Sequence, residues 1–207
     1  MTPEPTSDVP RDDDAPPLRV LAISGSLRAV SSNGAVLDAL AALAPPGVVV
    51  TRFGGLAGLP AFNPDIDGEG ATLPAAVAAW RADVAAAQAV VICSPEYAHG
   101  VPGALKNALD WLVSGPEVPG LPVAVVNATT RAHHAHVALM ETLRTMSADV
   151  VEAACVALPL APGRRTAEAL LADAGVSIPL TAVLDALRRA AARGGRLLHG
   201  PGQSRAI

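Results

Sequence analysis

The 207-residue chain is 51% hydrophobic and 16% charged, enough apolar material for a sizeable core and far from the composition of a disordered chain. Its formal charge of −4 and its 2% aromatic content exclude the basic footprint and the stacking platforms on which nucleic-acid binding rests. The 43 alanines, and 14 arginines against a single lysine (Lys106), are the bias of GC-rich coding, so Ala-rich helices carry no functional message by themselves.

In chain order, residues 1–17 hold five prolines and five acidic residues. They have little to bury and no apolar stretch of signal-peptide type, and so predict a disordered tail. Residues 18–198 are expected to form one domain, and 199–207 a flexible C-terminal tail. No run reaches the ~18 consecutive apolar residues of a membrane span. The expectation is a cytoplasmic protein with no membrane or nucleic-acid partner. Cys93 and Cys155 each lie in an apolar run, where a reduced and buried thiol is expected.

Short, β-branched, continuous apolar runs occur at 18–23, 48–50, 89–93, 122–126 and 150–158, as expected of strands covered on both faces. Helical stripes lie between and after them. Residues 33–44 carry Val36, Leu37, Leu40 and Leu43, with Ser32 or Asn33 as N-cap and Pro45 as stop. Residues 73–87 are built around Val77, Trp80 and Val84. Residues 102–113 put Leu105, Ala108, Leu109 and Leu112 on one face. Residues 135–147 and 179–193 repeat the pattern with Leu139, Met140, Leu143 and Met146, then with Leu180, Val183, Leu184 and Leu187. The alternation predicts an α/β protein: a doubly wound, five-stranded parallel sheet with helices on both faces.

Such sheets bind ligands beyond the carboxyl ends of their strands, near the switch point. The loop after the first strand, Ser24-Gly25-Ser26-Leu27-Arg28-Ala29-Val30-Ser31-Ser32-Asn33, is rich in hydroxyls, carries one arginine and opens a helix. Helix N-termini receive phosphate readily, and arginine adds a charge-assisted bond. The loop has neither the G-x-G-x-x-G of a dinucleotide site nor the G-K-[ST] of a P-loop, so it reads as a monophosphate site.

After the third strand the chain reads Ser94-Pro95-Glu96-Tyr97-Ala98-His99-Gly100-Val101-Pro102-Gly103-Ala104-Leu105-Lys106-Asn107-Ala108-Leu109-Asp110-Trp111. S-P-E-Y-x-x-x-x-P-G-x-L-K-N-x-x-D-W, with G-S-L-R-x-x-S-x-N upstream, resembles the NADPH-dependent FMN reductase family over roughly residues 18–160. Leu59-Pro60-Ala61-Phe62-Asn63-Pro64-Asp65 resembles that family's segment after the second strand. The resemblance implies a flavodoxin-like fold, FMN as cofactor and NAD(P)H as co-substrate. It implies that Ser26, Arg28, Ser31 and Asn33 hold the FMN phosphate, with Ser24, Gly25 and Ser32 of the same loop also in the cofactor site, and that Pro95, Glu96, Tyr97, Ala98, His99 and Gly100 run along the isoalloxazine ring. Many members carry Asn and Ser where this chain has Ala98 and Gly100. Glu96 is left either to accept bonds from nearby backbone N–H groups or to face a partner subunit. Lys106 and Asp110 are spaced to pair on one helix face.

The loop after the fourth strand, Asn127 to His136, lacks the Gly-rich turn of many relatives; Asn127, Thr129 and Arg131 are its candidate cofactor contacts. His133, His134 and His136 point in different directions at a helix start, with no carboxylate or cysteine among them, and are not read as a metal set. No nucleophile elbow or acid/base carboxylate pair is present, so the chemistry falls to a cofactor and no side chain is assigned as catalytic. The reading is an FMN-dependent NAD(P)H oxidoreductase that passes hydride to a quinone-like or other small-molecule acceptor. A non-enzymatic flavodoxin-like electron carrier and a relative that has lost flavin stay open. A homodimer or homotetramer is expected, because Trp111 and Val113 lie off the core stripe of their helix and need cover.

Overall fold

The computed structural model describes residues 16–68, 70–131, 133–160 and 166–194. Most of the expected N-terminal tail, and all of the expected C-terminal one, lie outside them. Five β-branched segments make a parallel sheet in the order β2-β1-β3-β4-β5: β1 (Leu18–Ser24), β2 (Val48–Phe53), β3 (Ala89–Cys93), β4 (Pro122–Asn127) and β5 (Asp149–Val150). A short β6 (Val156–Ala157) also pairs with β4. This is the flavodoxin-like order, with its switch point between β1 and β3.

Alternate residues of each strand feed two cores. Val20, Ala22, Ala89, Val91, Cys93, Ala124 and Val126 face α1 (Ser32–Ala42), α5 (Ala167–Leu171) and α6 (Ala174–Gly194). Leu21, Ile23, Val90, Ile92, Val123 and Val125 face α2 (Ala75–Ala86), α3 (Gly103–Asp110) and α4 (His134–Thr145). The predicted helical stripes are the buried ones: Val36, Leu37 and Leu40 on α1, Leu105, Ala108 and Leu109 on α3, and Leu180, Val183, Leu184 and Leu187 on α6. No described helix is long and apolar enough to cross a membrane.

Four expectations need correction. The run 150–158 is not one strand. A 3-10 turn at Glu152–Ala154 interrupts it, so β5 pairs with the start of β4 and β6 with its end. Between them the Val125 N–H donates to Cys155 Sγ at 3.4 Å, the sulfur standing where a strand carbonyl would otherwise accept. That placement leaves Cys155 only half-buried. The last helix begins at Ala174, not 179: Asp173 Oδ1 accepts from Gly175 N–H, and Pro179 is carried within the second turn.

The fourth correction concerns Trp111. It is fully buried within the subunit, its ring edge-on to Phe62 at 5.1 Å and its Nε1–H donating to the Pro60 carbonyl. It needs no cover from a second copy, whereas Val113 is exposed. Asn107 works beside it, accepting from Phe62 N–H at 2.7 Å and donating to the same Pro60 carbonyl at 2.9 Å. The helical motif therefore fastens the segment between β2 and α2. Lys106 and Asp110 form the expected i,i+4 ion pair.

The far end of that segment is held by a buried charge. Asp67, its side chain 3% exposed, pairs with Arg81 at 2.7 Å and accepts from Ser114 Oγ–H at 2.9 Å, while Arg81 Nε–H reaches the Trp111 carbonyl. Removing one partner of such a pair strands the other in a poorly solvated site. Asp67→Ala is expected to lower stability by about 3 kcal/mol in urea unfolding. A loss below about 1 kcal/mol would mean that the pair behaves like a solvated surface bridge.

Candidate functional site

The loops after β1, β3 and β4 meet at the carboxyl edge of the sheet. Ser24 is in register with Cys93, and one residue further the Gly25 N–H donates to the Cys93 carbonyl at 2.9 Å. A Cβ at Gly25 would stand 2.5 Å from Ser94 Oγ and 3.1 Å from Leu105 Cδ2, so only glycine lets the two loops approach. Ser24 Oγ accepts from Ser26 N–H and donates to the Ser26 carbonyl, both at 3.2 Å; its one proton is spent on the loop itself.

Ser26 and Ser31 are used differently. Ser26 Oγ accepts from Arg28 N–H at 3.3 Å, and Ser31 Oγ accepts from Gly34 N–H at 3.0 Å. Each hydroxyl thus accepts locally and keeps its proton to donate. Ser31, with extended φ/ψ, is the N-cap of α1, in place of the expected Ser32 or Asn33. The first turn of α1 has no acidic residue, and the Arg28 guanidinium is exposed with no ion pair among the described residues. This donor set, with a helix N-terminus and no opposing carboxylate, suits a phosphate dianion.

Beside it, Tyr97 to Gly100 form a tight two-residue hairpin with both backbone bonds made, Tyr97 N–H to the Gly100 carbonyl at 3.1 Å and Gly100 N–H to the Tyr97 carbonyl at 2.9 Å. Its central residues, Ala98 (φ 48°) and His99 (φ 60°), lie in the left-handed region that such turns demand and that Asn-Gly ordinarily fills. Ala98, which lacks the short polar side chain that eases a left-handed backbone, serves this position less well than asparagine would.

Two contacts clasp the hairpin segment to α4. Glu96 Oε2 accepts from Ala135 N–H at 2.8 Å, satisfying an orphan donor at the positive end of that helix. The His99 ring stacks on His134 with centroids 4.4 Å apart and an interplanar angle of 21°. Of the two roles left open for Glu96, the chain itself provides the backbone one.

The β4 loop achieves its bend without glycine. Asn127 Oδ1 accepts from Thr129 N–H at 3.1 Å and Thr129 Oγ1 from Arg131 N–H at 3.2 Å, two successive side-chain turns. Asn127 is buried, whereas Thr130 and Arg131 are exposed. His136 is half-buried, its Nδ1 enclosed with no hydrogen-bond partner among the described residues, beside a small cavity lined by Ser94, Val126 and Asn127. Burial, reinforced by nearby His133, lowers its pKa and favours the neutral ring. Among the described residues, no group of three or more His, Cys, Asp or Glu is placed to hold a metal ion.

Cys93 is the buried, reduced thiol that the sequence predicts, but its contact with the β1 loop was not legible there. It is the last residue of β3, fully buried, and its thiol donates to Asn33 Oδ1 at 3.3 Å. Burial pushes its pKa up to about 12, against smaller opposing effects from Arg52 and the Ala128 N–H. The available signal was its place at the end of the central strand.

A 2-1-3-4-5 parallel sheet with helices on both faces defines a flavodoxin-like α/β protein. The chain belongs to the NADPH-dependent FMN reductase family, whose profile matches residues 18–163. It is 40% identical over 114 residues to an NAD(P)H-dependent FMN reductase of Pseudomonas aeruginosa, the match covering 54% of this chain and 60% of that one. It is 40% identical over 110 residues to a quinone reductase of Escherichia coli, covering 52% and 58%. In each case the match spans less than two thirds of the relative's length. The fold superposes on the flavoenzyme NAD(P)H:(acceptor) oxidoreductase FerB from Paracoccus denitrificans with a TM-score of 0.67 at 25% identity, covering 86% of this chain and 98% of that one.

The left-handed pair at the hairpin tip yields a direct test. Ala98→Asn supplies a residue that tolerates positive φ without the entropy cost of glycine, and is expected to raise stability by about 0.5–1 kcal/mol. Thermal unfolding of the flavin-free protein measures it; an unchanged or lower midpoint would show that the turn is not strained at this position.

Proposed function

We propose that the protein is an FMN-dependent NAD(P)H oxidoreductase that delivers reducing equivalents to a quinone-like or other small-molecule acceptor in the cytoplasm. The observation that carries this reading is the pairing, at one switch point, of a monophosphate-type donor set with a fixed hairpin beside it. Ser26, Arg28, Ser31 and Asn33 would bind the phosphate, with Gly25 allowing the close approach. Pro95 to Gly100 would lie along the ring system and Asn127 to Arg131 would form the third wall. When bound, FMN supplies the two-electron redox chemistry that joins NAD(P)H to the acceptor. The chain binds, orients and shields. Backbone groups of the clasped hairpin give a rigid polar edge, and one open face serves the two reactants in turn. The names of the relatives, FMN reductase and quinone reductase, support this choice of donor and acceptor.

The chromophore released by heat from purified protein is expected to be FMN; FAD would overturn the monophosphate reading. Arg28→Ala should cost about 1.5–3 kcal/mol of FMN affinity, about 10- to 150-fold, with little change in the stability of the flavin-free protein. Titration of the flavin-free protein with FMN tests it, and equal affinities would overturn the phosphate role. Steady NAD(P)H consumption with a quinone separates the enzyme from an electron carrier.

We further propose a homodimer or homotetramer as the working unit. With Trp111 buried in its own subunit, the support is exposed apolar surface: Val113 just beyond α3, Val137 on α4, and Leu27, Val30 and Tyr97 on the loops of the site. Light scattering at micromolar concentration is expected to give a multiple of 20.8 kDa. An active monomer that retains its flavin would overturn this.

A further inference from the structure

We propose that Cys93 is a positioning residue for the cofactor phosphate, its thiol setting which end of the Asn33 amide faces the N-terminal turn of α1. This rests on the FMN reading above. Cys93 occupies the middle of the sheet, in register with Ser24 on one side and Val126 on the other. Its sulfur accepts from the Ala128 N–H and gives its one hydrogen to Asn33 Oδ1. Asn33 is buried in the first turn of α1, two residues after the Ser31 cap.

The two ends of a carboxamide are nearly identical in shape and opposite in hydrogen-bond character. Packing alone therefore cannot choose between them; a partner must. With Oδ1 held by the thiol, the NH2 group is on this reading the end left to donate to a phosphate received by Ser26, Arg28 and Ser31. In the flipped state an oxygen would face the phosphate, and like partial charges would repel. Burial keeps the thiol protonated through the physiological range, which preserves the donor and keeps a second anion from lying beneath the phosphate. Arg52, which donates to the Gly34 carbonyl and to Asp38, is the nearby cation; it pulls the thiol toward ionisation, but less strongly than burial holds the proton on.

Riboflavin lacks the phosphate and so separates this role from general packing. Dissociation constants for FMN and riboflavin, measured by flavin fluorescence on the flavin-free protein, should be compared for the wild type, Cys93→Ala, Cys93→Ser, Asn33→Ala and the Cys93→Ala/Asn33→Ala double variant. Cys93→Ala is expected to weaken FMN about 3- to 10-fold and riboflavin less than about twofold. Cys93→Ser, which keeps a donor, should retain the wild-type preference for FMN. The double variant should be no weaker than Asn33→Ala alone.

Equal losses for both ligands, an unchanged preference in Cys93→Ala, or additive losses in the double variant would overturn the proposal. A thermal melt reports whether Cys93→Ala folds. If it does not, folded Cys93→Ser carries the test, and loss of its FMN preference overturns the proposal. A wild type that binds riboflavin as tightly as FMN would refute the phosphate cradle itself. A wild type with a preference that the Cys93 variants leave untouched refutes only the role of the thiol.

Discussion

The approach of Gly25 to Ser94 is the constraint on which the site depends. In a doubly wound sheet the chains leaving β1 and β3 must turn to opposite faces, which opens a crevice between them. Here both begin that divergence within van der Waals contact, and the Gly25 N–H extends the sheet's hydrogen bonding by one residue to the Cys93 carbonyl. Leu105 of α3 closes on the same point from the other face. A single β-carbon at position 25 would push apart the β1 loop, the β3 loop and α3, and with them the donor set and the hairpin.

Around that point the structure spends its polar groups on holding loops still. Ser24 ties the β1 loop to itself, and Asn127 and Thr129 bend the β4 loop without glycine. Asn107 and Trp111 share the Pro60 carbonyl and so pin the segment between β2 and α2. The left-handed pair Ala98-His99 sits where the hairpin segment is fastened at two places, Glu96 on the α4 N-terminus and His99 on His134. Strained backbone persists where its surroundings over-determine it, and here the fastening is visible.

In the β1 loop, three side chains are left with donors to spare. Ser26 and Ser31 accept from the backbone and keep their protons; Arg28 extends from the loop between them. Cys93 lies beneath, with its hydrogen directed at Asn33. A loop otherwise satisfied by its own bonds would need little rearrangement to receive the phosphate proposed above.

The amino-acid sequence by itself determined the alternation of buried strands and one-sided helices, because continuous runs and 3.6-residue stripes are local signatures of where each element buries its apolar atoms. It also determined the Lys106–Asp110 pair, which depends only on helical spacing, and the three loops at the carboxyl edge. Other features were decided in three dimensions. Val150 to Leu158 is apolar but for Glu152, and only its pairing with β4 shows the break at Glu152–Ala154. Ser32 and Asn33 read as candidates for the cap until the backbone angles choose Ser31 instead. Trp111 reads as a residue in need of cover until the Pro60–Phe62 segment is seen folded over it. The hydrogen bond from Cys93 to Asn33 joins groups 60 residues apart, and the left-handed Ala98-His99 turn uses neither glycine nor asparagine. In each case the deciding partner lies elsewhere in the chain or in the backbone's own geometry, so no local pattern of side chains encodes it.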